Sequence, residues 1–206
     1  MSNGPSSPQS STTMHVRLVS DSTELPVSFS EARDYLYLTE DDRDKFGRLR
    51  LQLQAAVGLC ERQISGHRSF VRKTYDGILA EFPAGRIEIP LPPLYSSTSI
   101  AISYYDGDNA LQTLSSTTWD VVAPSDLPAF VQPKTNESWP ATYTRPDAVT
   151  VRFVAGWRDQ DKVPAQLKVA CLMRLEQLWD PARLDPEEMD RTIKSILDSL
   201  DYGHYA

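Results

Sequence analysis

Residues 27–36, VSFSEARDYL, set the reading of the whole chain. Ser28 followed three residues later by Glu31 is the pattern of a capping box, in which hydroxyl and carboxylate each accept a backbone N–H at a helix start. Phe29, Ala32 and Leu36 follow at helical spacing, so a helix is expected from Ser28. Downstream, Thr39 caps a second, longer helix whose first turn holds Glu40, Asp41 and Asp42, the sign the helix dipole favours there. Phe46, Leu49, Leu53, Ala56, Val57, Cys60 and Ile64 make its one-sided apolar stripe, and Gly66 is placed to end it. Cys60 lies on that stripe and reads as a core residue rather than a reactive thiol. Upstream, residues 1–26 are rich in Ser, Thr and Pro, with a short apolar alternation at Val16, Leu18 and Val19. They are expected to form a flexible tail.

Beyond the second helix the pattern changes to period two. Residues 70–79, 86–89, 100–105, 110–114, 118–122 and 149–154 read as short strands. Asp106-Gly107-Asp108-Asn109 has the composition of a hairpin turn, because Gly and Asn accept positive φ. Pro90, Pro92 and Pro93 cannot donate to a ladder, which makes that stretch an edge or crossover. Residues 123–147 hold five prolines and little periodicity, and are expected to be a long contact loop. Helix resumes at Pro164, with Leu167, Ala170, Cys171, Leu175, Leu178 and Trp179 as its buried face. A last helix begins near Asp185-Pro186 and carries Met189, Ile193, Ile196, Leu197 and Leu200 on one side. The expected class is α+β: an N-terminal helical hairpin, a small central antiparallel sheet with long loops, and C-terminal helices.

The composition narrows the function. The chain has 206 residues, a net charge of −7, 40% apolar residues, 15 Pro and 2 Cys. That is enough apolar content for a core, with no run approaching the roughly 18–20 apolar residues of a membrane span. The opening 13 residues lack the basic and apolar regions of a secretory signal, so a soluble chain made in the cytoplasm is expected. The acidic balance argues against general nucleic-acid binding. Charge is unevenly spread. Residues 43–73 hold eight basic and two acidic side chains, whereas 74–133 hold seven acidic and one basic. Such blocks fold against each other or pair one copy with the next.

Signatures of chemistry are missing. The chain has no phosphate loop, no dinucleotide fingerprint and no nucleophile elbow. His15, His67 and His204 are scattered, and Asp106-Gly107-Asp108-Asn109 lacks the spacing of a calcium loop. The acidic pairs Asp41/Asp42 and Glu187/Glu188 are explained by helix-dipole complementarity. No catalytic residue, cofactor or metal is expected, and a binding or structural role is the default. Tyr104, Tyr105, Trp119, Trp139, Tyr143 and Trp157 serve either a core or an interface.

The order of features resembles the head–tail connector (adaptor) proteins of tailed bacteriophages. Residues 27–36 are similar to that family's opening helix, and Asp41-Asp42 through Glu61 to Arg68 resemble its acidic lead into a long helix. Ile87-Glu88-Ile89-Pro90-Leu91-Pro92-Pro93-Leu94 and Ile100 to Asp106 look like its sheet. Trp139-Pro140, Val149 to Trp157 and Val163 to Ala170 continue the series. The resemblance runs from Val27 to Trp179. It departs after Trp179, where Asp180-Pro181-Ala182-Arg183 replaces the family's run, and in the longer N-terminal segment.

The resemblance implies a connector domain over 27–180 and a C-terminal helix and tail over 181–206. It implies a virion protein, assembled in the host cytoplasm, forming a ring of about twelve copies beneath the portal. Such a ring extends the DNA channel, lets DNA pass without specific binding, and joins the capsid to a neck, stopper or tail protein. Ile196, Leu197, Leu200, Tyr202, His204 and Tyr205 are the candidate portal-docking residues. Arg43, Arg48, Arg50, Trp139 and Tyr143 are candidates for inter-subunit or tail-side contact. Two other readings stay open: a stopper or tail-completion protein of the neck, and a non-viral binding module using the aromatic sheet.

Overall fold

The capping box at Ser28 forms in full. In the computed structural model, which describes residues 13–64, 68–124, 127–182 and 185–200, Ser28 Oγ accepts the Glu31 N–H at 3.1 Å. Glu31 Oε2 accepts the Ser28 N–H at 2.7 Å, opening α1 (Phe29–Tyr35). Lys168 Nζ lies 3.1 Å from the other Glu31 oxygen, and the cap and this ammonium together hold the carboxyl below its ordinary pKa despite the opposing effect of burial.

Thr39 caps as well, but not a long helix. It begins a 3-10 helix, Glu40–Lys45, with a non-helical break at Asp42 (φ −93°, ψ 21°). The Asp42 carboxylate takes the Thr39 N–H at 2.9 Å and Lys45 Nζ at 2.7 Å, a local arrangement that competes with regular helix. Only then does α2 (Phe46–Gln63) begin, burying Leu49, Leu53, Ala56, Val57 and Cys60. Gly66 lies outside the described residues. Pro164 stands at the N-cap of α3 (Ala165–Trp179) rather than inside its first turn. Asp185 caps α4 (Pro186–Asp198) by accepting the Glu187 N–H at 2.9 Å.

Eight strands are described: β1 (His15–Ser20), β2 (Lys73–Leu79), β3 (Ile87–Ile89), β4 (Ala101–Tyr105), β5 (Leu111–Thr113), β6 (Trp119–Val122), β7 (Ala129–Pro133) and β8 (Val149–Ala155). They form two antiparallel sheets, ordered β1-β2-β8-β4-β5 and β3-β7-β6. The class is α+β, with two small sheets where one was expected.

Two expectations are corrected. Residues 15–20, read as tail, form an edge strand pairing His15 with Ile78 through Leu18 with Tyr75. The tail reading missed this because the partner strand lies some sixty residues away in sequence. Residues 129–133, read as part of a loop, are the central strand of the second sheet. Prolines at both ends masked its alternation of buried Ala129 and Val131 with Phe130 and Gln132.

Two cores result. α1 to α4 enclose one, around Leu49, Leu53, Ile64, Phe70, Leu167, Leu175, Ile193 and Leu197. The sheets enclose the other, around Ile87, Ile102, Val131, Val151 and Phe153. Burial of each large aliphatic side chain stabilises by about 1.5–3 kcal/mol. Cys60 and Cys171 meet in the helical core, both buried and free. Their mutual hydrogen bond, with burial, holds the Cys171 thiol well above the ordinary cysteine range.

The layers join at Gly156. Its φ of +110° is open to glycine, and an added Cβ would lie 2.1 Å from the Val71 carbonyl oxygen. The Gly156 N–H donates to Pro93 O at 2.8 Å, and Val71 bridges Trp157. This close approach ties the start of β2 and the end of β8 to the proline-rich crossover.

Candidate interaction surfaces

The predicted hairpin forms between β4 and β5. Asp106 accepts the Asp108 and Ala110 N–H groups at 3.1 and 2.9 Å, and Asn109 adopts φ 60°. Those backbone donors, chiefly Ala110, lower the Asp106 pKa. The carboxylate therefore holds a turn, and Asp108 is left exposed at its tip.

The predicted docking stripe on α4 turns inward. Leu197 is 0% exposed and Leu200 7%, both within the helical core, and Ile196 packs half-buried against it. Two of the three α4 candidates for portal docking are thus core residues of this chain, and Ile196 lies at the margin of that core. An amphipathic helix next to its own core buries its stripe there first. Tyr202, His204 and Tyr205 lie outside the described residues.

The arginines proposed for inter-subunit contact are largely engaged within the chain. Arg43 pairs with Glu40 at 2.8 Å on the surface of the 3-10 helix. Arg48 donates to the Trp179 carbonyl at 2.5 Å and sits 4.5 Å over that indole ring, tying α2 to the end of α3. Arg50 lies 5.1 Å over Phe29 and lines a cavity of about 520 Å³ with Glu24, Leu53 and Gln160. Trp139 stacks on Phe82 at 5.0 Å and 5° and donates its Nε1–H to Gly85 O at 2.6 Å. Tyr143 is 44% exposed, so its ring is free for a contact. The structure thus brings Arg48 and Arg50 to the helical layer and Trp139 to a corner of the sheet layer.

Three arrangements were not legible in the sequence. Asp76, 1% exposed on β2, is held between Arg152 Nε at 2.8 Å and Arg17 NH2 at 2.9 Å, residues placed directly opposite it on β8 and β1. Arg152 above all, with Arg17, outweighs burial and keeps this carboxyl below its ordinary pKa. Arg72 and Arg158, on either side of the Gly156 junction, both lie over the Tyr95 ring at 5.6 and 5.3 Å. The third is a groove of about 470 Å³ between α2, α3 and α4, lined by Leu59, Arg62, Gln63, Arg174, Asp190, Arg191 and Lys194. Arg174 donates to Asp190, Gln177 and, at 2.7 Å, Gln63, while its buried Nε has no partner among the described residues.

Among the described residues no three His, Cys, Asp or Glu side chains gather as a metal site, and no helix is long and apolar enough to cross a membrane.

No protein-family model and no curated protein matches the sequence. Solved structures do match in fold. A chain of the neck of an empty GTA particle, computed with C6 symmetry, superposes with a TM-score of 0.69 at 18% identity, covering 89% of this chain and 95% of that one. A chain from the virion of a native gene transfer agent (GTA) particle gives 0.67 at 19%, covering 88% and 94%. A chain of the native GTA neck, computed with C12 symmetry, gives 0.64 at 17%, covering 89% and 94%. The chain therefore has, over nearly its whole length, the fold of chains that stand in the neck of a phage-like particle.

Proposed function

We propose that this chain is a structural protein of a virion neck, a head–tail connector that assembles as a ring beneath the portal, extends the DNA channel and joins the capsid to the tail. One observation carries this reading: the end-to-end likeness in fold to chains of GTA necks, with 94–95% of those chains covered. Helices around one core and sheets around another supply a two-layered subunit, and the absence of catalytic motifs in the sequence accords with a structural task. Twelve-fold or six-fold order in the similar necks supports a homo-oligomeric ring. The portal lies on one side of the ring and a stopper or tail protein on the other, and a net charge of −7 favours a lumen that DNA slides through without sticking.

With Leu197 and Leu200 turned inward, portal docking is assigned to residues 201–206. Tyr143 and the 123–147 segment serve the neighbouring subunit or the tail side. The decisive experiment removes the gene from the producing phage or particle. DNA-filled heads without tails, restored by the gene in trans, are expected; tailed, infectious particles made without the protein refute the reading.

A further inference from the structure

The groove between α2, α3 and α4 gathers four cations, of which Arg62 and Arg191 have no acidic partner among the described residues. Arg62 is exposed and has no acidic partner among the described residues. Arg191 is exposed and, among the described residues, bonds only the Glu187 carbonyl, at 3.3 Å. Lys194 pairs with Asp198 one turn along, but both are well exposed (62% and 42%) and the pair is easily exchanged. Asp190 is the one carboxylate in the lining, and Arg174 already holds it. Leu59 is its one apolar lining residue, so the groove suits an acidic segment with an apolar side chain beside its charges.

Such a segment exists elsewhere on the same molecule. At the sheet corner, Glu81 precedes Phe82, and Glu137 stands two residues before Trp139, whose ring stacks on Phe82. Both glutamates are exposed and neither has a cationic partner among the described residues. The Trp139–Gly85 hydrogen bond stitches the two short segments together, so both glutamates belong to segments joined at one stacked aromatic pair.

Resting on the neck reading above, we propose that the basic groove of one copy receives the Glu81–Glu137 corner of the next copy. The two patches lie in different layers, one helical and one in the sheet, so their contact is head-to-tail, the kind that closes into a ring. Charge complementarity selects this pairing, because groove against groove sets cation on cation and corner against corner sets carboxylate on carboxylate. A groove with one apolar lining residue and an internal carboxylate is a poor match for the continuous phosphate backbone of DNA.

The test uses two full-length variants, Arg62→Glu with Arg191→Glu, and Glu81→Lys with Glu137→Lys. All four positions are exposed, and thermal unfolding checks that each variant folds. At low salt, a zero-length carbodiimide is expected to join Lys194 of one wild-type copy to Glu81 or Glu137 of another, identified by mass spectrometry. The groove variant alone loses this intermolecular product by about tenfold or more, although Lys194 and both glutamates remain for the reagent to join. An equimolar mixture regains association, measured by sedimentation, because reversed groove then meets reversed corner. Unchanged cross-linking in the groove variant, no rescue on mixing, or wild-type rings without a Lys194 cross-link overturns the proposal. So does duplex DNA binding that the groove variant abolishes. Neck rings formed by the variants refute only this pairing, whereas particles whose necks lack the chain refute the neck reading itself.

Discussion

Gly156→Ala is the substitution to which this structure assigns the largest consequence for the smallest chemical change. The new methyl would lie 2.1 Å from Val71 O and 2.3 Å from Val71 C, where real contacts do not fall below 3.0 Å. Both are backbone atoms just before β2, so no side chain can rotate away. The strand ends must part by about 0.9 Å, which disrupts the Gly156 N–H to Pro93 O bond and the Val71–Trp157 bridge. Holding a non-glycine residue at φ +110° costs about 1–3 kcal/mol, and the loosened hydrogen bond about 1 kcal/mol more. A loss of about 3 kcal/mol corresponds to about 6–12 °C in Tm for a chain of this size. Calorimetry or urea unfolding measures it. The same glycine-to-alanine change at Gly47 and Gly58, in α2 with nothing within 4 Å of the added carbon, is expected to stabilise by about 0.5–1 kcal/mol. A Gly156→Ala loss below about 1 kcal/mol, or a loss equal at all three sites, refutes the reasoning.

Asp76→Asn is expected to cost about 1–3 kcal/mol at neutral pH, since it removes the charge that Arg17 and Arg152 share. Because the folded Asp76 pKa is depressed, its contribution is complete above the unfolded value near 3.9 and disappears as pH falls through the folded value; the wild-type advantage in urea unfolding should therefore shrink below about pH 4, and an advantage constant to pH 2 contradicts the assignment. Leu197→Ala is expected to destabilise by about 2–5 kcal/mol, whereas a docking residue would leave Tm unchanged and weaken portal binding alone.

What the sequence disclosed is what local chemistry specifies. Ser28 and Glu31 are three residues apart, so their box is written in the chain, as is the Asp106 turn with its Asn109. The stripe on α2 was equally plain, because period 3.6 needs no partner to be seen. β1 was missed because Val16, Leu18 and Val19 gain meaning only beside Tyr75 and Gly77. The interaction surfaces were the least legible. Arg62, Arg174 and Arg191 reach one groove from three helices, and only their packing makes neighbours of them. On α4 the periodicity identified the apolar face correctly and could not say whose core would take it.

The edge strand β1 has a consequence for how the molecule breathes. Each of its six residues is exposed, and its link to the rest is a ladder to β2, the Arg17–Asp76 ion pair and the thioether of Met14 lying over Gly77. An element that buries so little apolar surface separates at a small fraction of the global unfolding free energy. When it peels away, none of its six residues leaves a core, yet the backbone donors and acceptors of β2 become available to any extended segment that arrives. The first rung of the sheet is thus exchangeable, and the fold can give it up without coming apart.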